Sequence, residues 1–597
     1  MTPLTTNPEK LEEKFRKYPT YKAWKQVGLK PRFGILMPLA QMRTKRNSGV
    51  GDFADLQAFG EFCKSIGCTI LQLLPINDMG RGKTPYSSLS AFALDPIYIA
   101  LDNVSELKKG QRSEEMEKYL ESNKEKIYSL KAKKRIDYDN IRKYKLDALQ
   151  IAYNDFIKAE KEAGLERWQD FEKFRKDNEY WLPDYALFRA LKEKYMWDPW
   201  EKWPGGTRTR SKRRLPALLK EHAGEIDFYS FVQWIAFDQM KSAQKALLEM
   251  GIYLKGDLPL LVDVESADVW GHPEYFNTEV CAGAPPDQYS LMGQNWGMPT
   301  YNWEKLAEDN NTWWRKRLQY AENFYHIYRI DHVVGIFRIW TIPITQEFPR
   351  GKKSGEQGYF DPADKGLKEN KKIWEEHGST ILNMLVESSN MLPIGEDLGT
   401  IPLVCRKTLS DMGIPGYKVL IWERDWTNRE KEFPFIPPEE YPYLSMSTST
   451  THDFWTLAGW WIHRPGTVSE NGDIAPEIEK MKAKDEEELK NALYKFLVGE
   501  GEKPKAFTEK LYKAVMHKLF HSGSIFLIMP FQDLWGVAYG LYGEDPEGER
   551  INDPDKPHLP ENWTGKMPLE IESLHLHPSM TDKIDFVRRL AGESGRI

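Results

Sequence analysis

The chain alternates short apolar runs with longer amphipathic segments along its whole length. Each apolar run ends at a polar, glycine or proline position, and the connections carry apolar residues at helical spacing. This alternation is typical of parallel βα units, and eight such runs are what a closed barrel requires. We therefore predict an α/β fold, a (β/α)8 TIM barrel, with strands at Arg32 to Leu39, Thr69 to Pro75, Tyr253 to Asp263, Tyr325 to Asp331, Leu392 to Glu396, Lys418 to Glu423, Leu444 to Ser449 and Ser524 to Pro530.

The segment between the second and third predicted strands is far too long for one crossover connection. From Glu106 to Tyr195 it is rich in Lys and Glu, with Leu, Tyr and Phe at helical spacing, so we predict a large, mostly helical insertion. A coiled coil is the alternative, but the apolar heptad is not sustained. The predicted organisation is a first part of the barrel over residues 1–104, an inserted subdomain over 105–245 and the remainder over 246–597. A long loop rich in Gly, Pro and aromatic residues, 265–303, follows the third strand.

The composition excludes several classes of partner. A formal net charge of −6 and a pI near 6.2 give no general attraction to nucleic acid or to an anionic membrane. No apolar run reaches the roughly 18 residues of a membrane span, and residues 1–15 lack the apolar core of a signal peptide. The four cysteines lack the spacing of a disulfide framework or a zinc site. We expect a cytoplasmic protein with no metal, no other cofactor, and no nucleic-acid or membrane partner.

Three predicted strands end at an acidic residue: the fourth at Asp331, the fifth at Glu396 and the seventh just before Asp453. Because parallel strands of a barrel all end at one face, we expect these carboxyl groups to meet there. Retaining cleavage of a glycosidic bond needs one carboxylate as nucleophile and one carboxylic acid as proton donor. Arg329, two positions before Asp331, shares its strand face and is expected to keep that nucleophile ionised.

Longer motifs extend this pattern over nearly the whole chain. The segments "GVGDFADLQAF", "TPYSSLSAFALDPIYI", "GDLPLLV", "ESADVW", "GAPPDQYS", "GQNWGMPTYNW", "YRIDH", "GEDLG", "GIPGYKVL" and "THD" occur in this order. In sequence and order they resemble the amylomaltase or disproportionating-enzyme family, glycoside hydrolase family 77 of the α-amylase clan. The resemblance implies a retaining 4-α-glucanotransferase that acts on maltooligosaccharides and other α-glucans.

The resemblance also implies roles for individual residues. Asp331 would be the nucleophile, Glu396 the general acid and base, and Asp453 the stabiliser of the transition state. Substrate contacts would come from residues beside these acids, from the loop after the second strand and from the long loop after the third: Arg329, His332, His452, Tyr86, Glu265, Asp287, Gln294 and Trp296.

A few positions depart from the family pattern. Glu265 stands where Asp is usual, Val333 and Val334 replace a common Phe and Arg, and Phe454 replaces Asn. None of these is one of the three acids, so we expect the chemistry to be retained and the acceptor preference to change. A hydrolytic α-amylase-like glycosidase is the nearest alternative, and a non-catalytic glucan-binding protein is another. The sequence does not fix the oligomeric state.

Overall fold

The computed structural model contains a closed barrel of eight parallel strands. It describes residues 8–161, 164–286, 293–345, 350, 358–362, 366–463, 476–538, 541–542, 545–554 and 556–597. The barrel strands are β1 (Arg32–Leu36), β2 (Ile70–Gln72), β3 (Tyr253–Leu258), β4 (Ile327–Ile330), β5 (Leu392–Gly395), β6 (Gly416–Val419), β7 (Ser445–Thr448) and β8 (Phe526–Pro530). Each strand pairs with its neighbours in the chain, and β8 closes the barrel on β1, with Arg32 opposite Phe526. The predicted fold class is confirmed.

All eight strands lie within or overlap the predicted runs, but several end earlier than the apolar pattern indicates. The sixth shows the largest shift, because it was expected at Lys418 to Glu423 and lies at Gly416–Val419. After Val419 the chain turns, and the amides of Trp422 and Glu423 both donate to the Val419 carbonyl. Leu420 and Ile421 are buried in that turn, so their apolar character reflects packing beside the barrel and not the strand.

Helices cover the outside of the barrel and fill the insertion. The first helix of the insertion has a side-chain cap: the Ser113 hydroxyl accepts from the Met116 amide at 3.2 Å, ahead of an acidic first turn. The α-helices of the insertion are Glu114–Ala132, Tyr138–Phe156, Glu166–Asp177, Leu182–Lys194, Gly205–Arg208 and Leu215–Glu221. The other α-helices are Pro8–Phe15, Tyr21–Val27, Asp55–Ser65, Ala223–Glu249, Ala267–Gly271, Trp303–Glu308, Thr312–Ala321, Leu367–Ser388, Leu403–Met412, Leu457–Ile462, Pro476–Val498, Glu509–Phe520, Phe531–Trp535, Pro546–Glu549 and Pro578–Glu593.

The insertion packs on the barrel through one continuous apolar core. Phe231, on the helix that leads into β3, is fully buried and its ring contacts those of Phe156 and Phe171 from the insertion. Burying an aromatic side chain of this size contributes about 1.5–3 kcal/mol. On the same helix, Gln233 pairs with the backbone of Leu94, donating at 2.8 Å and accepting at 2.9 Å. These contacts fix the insertion beside the carboxyl end of β2.

A small antiparallel sheet lies beyond the barrel in the connections that follow β3 and β4. Its strands are Val280–Ala284, Gln294–Asn295, Ile339–Pro343 and Tyr359–Asp361. This sheet joins the long loop after β3 to the segment after β4, so both lie over the same face of the barrel. None of the helices in the described ranges is long and apolar enough to cross a membrane.

Candidate active site

Arg329 is the centre of a charged cluster at the carboxyl ends of the barrel strands. It lies on β4 opposite Asp257 of β3, and its Nη1 donates to both Asp257 carboxylate oxygens at 2.9 Å. The same nitrogen lies 2.8 Å from Oδ1 of Asp331, which directly follows β4. The other terminal nitrogen, Nη2, lies 3.7 Å from Oε2 of Glu396. One buried guanidinium thus contacts three carboxyl groups.

Glu396 lies directly after β5 and is held by two backbone amides. The His332 amide donates to Oε2 at 2.9 Å, and the Leu398 amide donates to Oε1 at 3.0 Å. His332 has φ of +43°, in the left-handed region that a residue with a Cβ rarely adopts. Burial raises the pKa of Glu396 to about 8; Arg329 and the two amides oppose this rise, and the Asp331 charge adds to it.

Asp331 shows a smaller rise in pKa. Burial raises the pKa of its carboxyl group to about 6, with Arg329 opposing and the charges of Asp257 and Asp453 adding to the rise. The Arg329 charge lowers this pKa, as an ion pair should, but desolvation outweighs the pair and the net shift is upward. At neutral pH, Asp331 is still mostly ionised while Glu396 is mostly protonated. Two neighbouring carboxyl groups thus differ in charge because their surroundings differ.

Asp453 is positioned by groups from the loops after β2 and β8. Its Oδ2 lies 3.2 Å from Nε2 of His452, and its Oδ1 accepts from the side-chain Nδ2 of Asn552 at 2.7 Å. The Tyr86 ring stacks on the His452 imidazole with centroids 5.5 Å apart. The Tyr86 hydroxyl lies 2.9 Å from Nε2 of His452 and donates to Asp257 at 2.8 Å. His452 and Tyr86 therefore lie in contact between Asp453 and the Arg329 cluster.

Trp296 of the long loop after β3 reaches this cluster, and Gln294 holds its indole. Trp296 is half-buried and meets His332 edge to face, with ring centroids 4.8 Å apart. Its indole nitrogen donates to the Gln294 side chain at 2.9 Å. Burial lowers the pKa of His332 to about 4, so the imidazole beneath Trp296 is neutral. Asp287, the third predicted contact of this loop, lies outside the described residues.

Glu265 is paired with a side chain of the insertion. Its carboxylate forms an ion pair with Lys192, and Oε2 also accepts from the Trp200 amide at 3.2 Å. Both side chains line a cavity of about 310 Å³, together with Ser87 next to Tyr86. The structure therefore places Glu265 beside the cluster but already paired, which the sequence alone did not indicate.

Two residues that the sequence reasoning did not single out complete the site. Asp257 is buried and is the direct partner of Arg329 and Tyr86. Its signal in the sequence is its place in the motif "GDLPLLV" on the third predicted strand, just before an apolar run. Asn552, which holds Asp453, lies in a loop after β8 and carries no local signal. Among the described residues, no group of three or more His, Cys, Asp and Glu side chains could hold a metal ion.

Comparison with known proteins identifies the family of this chain. Residues 37–571 match the family described as 4-alpha-glucanotransferase. The 4-alpha-glucanotransferase of Chlamydia pneumoniae is 32% identical over 567 residues, covering 95% of this chain and 97% of that protein. The 4-alpha-glucanotransferase of Thermus thermophilus is 32% identical over 437 residues, covering 72% of this chain and 79% of that one. The family resemblance inferred from the motifs is confirmed.

Two solved structures share the fold. The amylomaltase from Streptococcus agalactiae in complex with acarbose superposes with a TM-score of 0.72 at 22% identity, covering 95% of this chain and 100% of that chain. The amylomaltase from Corynebacterium glutamicum gives a TM-score of 0.73 at 21% identity, covering 97% of this chain and 76% of that chain. At these identities the likeness concerns the fold.

Proposed function

This chain belongs to glycoside hydrolase family 77, the 4-α-glucanotransferases, and we propose that the cluster around Arg329 carries out the transfer. The reaction moves a segment of an α-1,4-glucan to the 4-hydroxyl of glucose or of a maltooligosaccharide, with retention at the anomeric carbon. The observation that carries this proposal is one buried guanidinium in contact with two carboxyl groups of different pKa, Asp331 and Glu396. Retaining transfer requires such a pair.

In the first step, Glu396 gives its proton to the glycosidic oxygen, since its raised pKa of about 8 keeps it protonated at neutral pH. The Asp331 carboxylate attacks the anomeric carbon, the glycosidic bond breaks, and the displaced glucan leaves with the proton. In the second step, the Glu396 carboxylate takes the proton of the acceptor 4-hydroxyl. The acceptor oxygen then attacks the anomeric carbon, and Asp331 leaves as a carboxylate. Both groups return to their starting state.

The remaining residues support this chemistry by charge and by hydrogen bonds. Arg329 stabilises the Asp331 carboxylate when the acceptor displaces it, and Asp257 fixes the guanidinium. Asp453, with 41% of its side chain exposed, offers a negative charge to the oxocarbenium-like transition state. Because burial lowers the pKa of both His332 and His452, their neutral imidazoles are suited to hydrogen bonds with sugar hydroxyls.

Transfer differs from hydrolysis only in whether a sugar hydroxyl or water meets the covalent intermediate. We propose that Trp296, packed on His332 at 4.8 Å, helps to hold the acceptor and to exclude water. We also propose maltooligosaccharides as donors and acceptors and the cytoplasm as the location. All four cysteines are free and buried, which fits a reducing compartment.

The test is incubation of the purified protein with maltotriose, followed by separation of the products by size. We expect glucose together with maltooligosaccharides longer than maltotriose. The Asp331→Asn variant, prepared in the same way, controls for contaminating enzymes and should give neither. Glucose and maltose alone, with nothing longer, would contradict the transferase proposal in favour of hydrolysis.

A further inference from the structure

The loop after β6 holds a tryptophan in solvent at the barrel face where the acids lie. Trp426 is 57% exposed, and in the described part of the chain it is the one tryptophan among the exposed large apolar side chains. Because this loop starts at the carboxyl end of a barrel strand, it lies on the face that carries the active site. A single exposed apolar side chain is common on protein surfaces. The contacts around Trp426 are therefore needed to infer a function for it.

The Trp426 ring is fixed by neighbouring side chains. The Arg424 guanidinium lies between two rings, 5.4 Å from the Trp426 centroid and 5.5 Å from that of Phe435. The same guanidinium donates to the carbonyls of Glu432 and Phe433. The Phe433 ring also lies 5.5 Å from the Trp426 ring. These contacts hold the orientation of the ring, while more than half of the residue stays exposed to solvent.

The backbone of this loop is equally constrained. Arg424 and Phe435 form an antiparallel bridge, and the Asp425 amide donates to the Pro434 carbonyl at 2.8 Å. Glu432 and Phe433 both have left-handed backbones, with φ of +53° and +54°. Consecutive non-glycine residues in this region persist only where the surroundings hold them, and they concentrate at functional sites.

The base of the loop is anchored in the protein. Phe435 is buried and stacks on Phe496 of the helix Pro476–Val498, with ring centroids 5.5 Å apart. The loop thus presents one aromatic ring from a rigid support. A stacking site requires such a support, whereas an ordinary surface turn does not provide one.

The loop that carries Trp426 also contacts the active site near its start. Trp422, at the start of the same loop, meets Phe454 edge to face with centroids 5.4 Å apart. Phe454 directly follows Asp453 and is one of the departures from the family pattern. Trp426 lies four residues beyond Trp422, a span of at most about 15 Å. An elongated ligand bound at Asp453 can therefore extend to Trp426.

We propose that Trp426 is a stacking platform for glucose units of an α-1,4-glucan chain whose reacting bond lies between Asp331 and Glu396, an inference that rests on the proposed function. Sugar rings present flat C–H faces to an indole, and stacking on a rigid ring costs little conformational entropy. The sequence around Trp426 carries charges of both signs, Arg424 and Asp425 before it and Arg429 and Glu430 after it, so no excess of one sign favours an ionic ligand over a neutral sugar. The platform would favour long glucans over short ones.

The experiment compares maltotriose with maltoheptaose, using the Trp426→Ala and Trp426→Phe variants. The quantity measured is the ratio of kcat/KM for maltoheptaose to that for maltotriose, first as donors with glucose as acceptor and then as acceptors of a common donor. We expect Trp426→Ala to lower this ratio about 3- to 10-fold in one of the two series. A loss in the donor series assigns the platform to the donor chain, and a loss in the acceptor series assigns it to the acceptor. Trp426→Phe should restore most of the ratio.

The matched control is Tyr128→Ala, an aromatic residue that is 75% exposed on the insertion helix Glu114–Ala132, and it should leave the ratio unchanged. A second readout is the retardation of the inactive Glu396→Gln protein in gels that contain amylose, which Trp426→Ala should weaken. An unchanged ratio, or an equal loss for both sugars, would overturn the platform. So would a change of oligomeric state in Trp426→Ala, which would make this ring an interface between copies. Failure of the wild-type protein to lengthen maltotriose would instead overturn the proposed function.

Discussion

Replacing Glu396 with Gln removes the proton donor while it keeps the shape of the side chain. In the structure, the two carboxyl oxygens accept one amide each, from His332 and Leu398. A Gln side chain has one acceptor oxygen, so its NH2 group must face one of these amides. An unsatisfied buried N–H group costs about 1–3 kcal/mol. We expect a correspondingly small decrease in the free energy of unfolding, best measured near pH 6, where the wild-type group is also neutral.

The loss of activity should be much larger and specific to one step. General acid and base catalysis contributes about 10²- to 10⁴-fold, so transfer from maltotriose should fall by this factor in Glu396→Gln. A maltosyl fluoride donor needs no proton on its leaving group, and it should still label Asp331. Mass spectrometry of the digested protein would locate the covalent sugar.

The matched control is Glu440→Gln, since Glu440 is exposed and lies in the short turn Pro438–Glu440 just before the amino end of β7, whereas the acids follow the carboxyl ends of the strands. It should transfer at the wild-type rate. A Glu396→Gln variant that transfers natural glucans at a rate near the wild type would refute the assignment. Labelling of a residue other than Asp331 would refute the assigned nucleophile.

The other predictions concern pH and two aromatic residues. The kcat/KM for maltotriose should rise through a pH of about 6 as Asp331 ionises and fall through about 8 as Glu396 loses its proton; an acidic limb near pH 4 would contradict the raised pKa of Asp331. Both pKa values are raised on folding, so between pH 4 and pH 8, roughly, the unfolded chain binds fewer protons than the folded chain. The contribution of these two groups to the free energy of unfolding should therefore decrease as the pH rises through this range. Tyr86→Phe removes the hydroxyl shared by Asp257 and His452 and should lower kcat/KM about 10-fold, with little change expected if the hydroxyl only fills space. Trp296→Ala should raise the ratio of free reducing ends to transfer products, by an amount that corresponds to about 1–3 kcal/mol of lost stacking, and an equal loss of both products would show that Trp296 positions the donor instead.

The fold was largely predictable because most barrel strands are buried on both faces and several, such as β1 and β8, read as apolar runs. The ends of the strands were harder to predict, because apolar residues continue past the last strand hydrogen bond wherever the following turn is also buried. Leu420 and Ile421 after β6 are the clearest case. Hydrogen bonds to the neighbouring strands, which a sequence pattern does not contain, decide where such a run stops being a strand.

The acids of the site were predictable because they follow strands in recognisable motifs, whereas their electrostatics were not. The rise in the pKa of Asp331 depends on burial and on Asp257, a residue of the neighbouring strand. The pair between Glu265 and Lys192 joins the loop after β3 to the insertion, and nothing near either residue in the sequence indicates it. Long-range pairing of this kind follows from the way the insertion packs on the barrel.

The closure of the barrel has a consequence for how the chain reaches its native state. Arg32 at the start of β1 lies opposite Phe526 of β8, so the first strand gains its second neighbour only after nearly the whole polypeptide has been made. Contacts of such high sequence separation slow folding, and an incomplete parallel sheet leaves unpaired edges exposed during synthesis. The helices of the insertion, whose backbone hydrogen bonds are local, can form before β1 and β2 gain their remaining strand partners. Its contacts near the carboxyl end of β2 would then cover part of the open barrel on the ribosome.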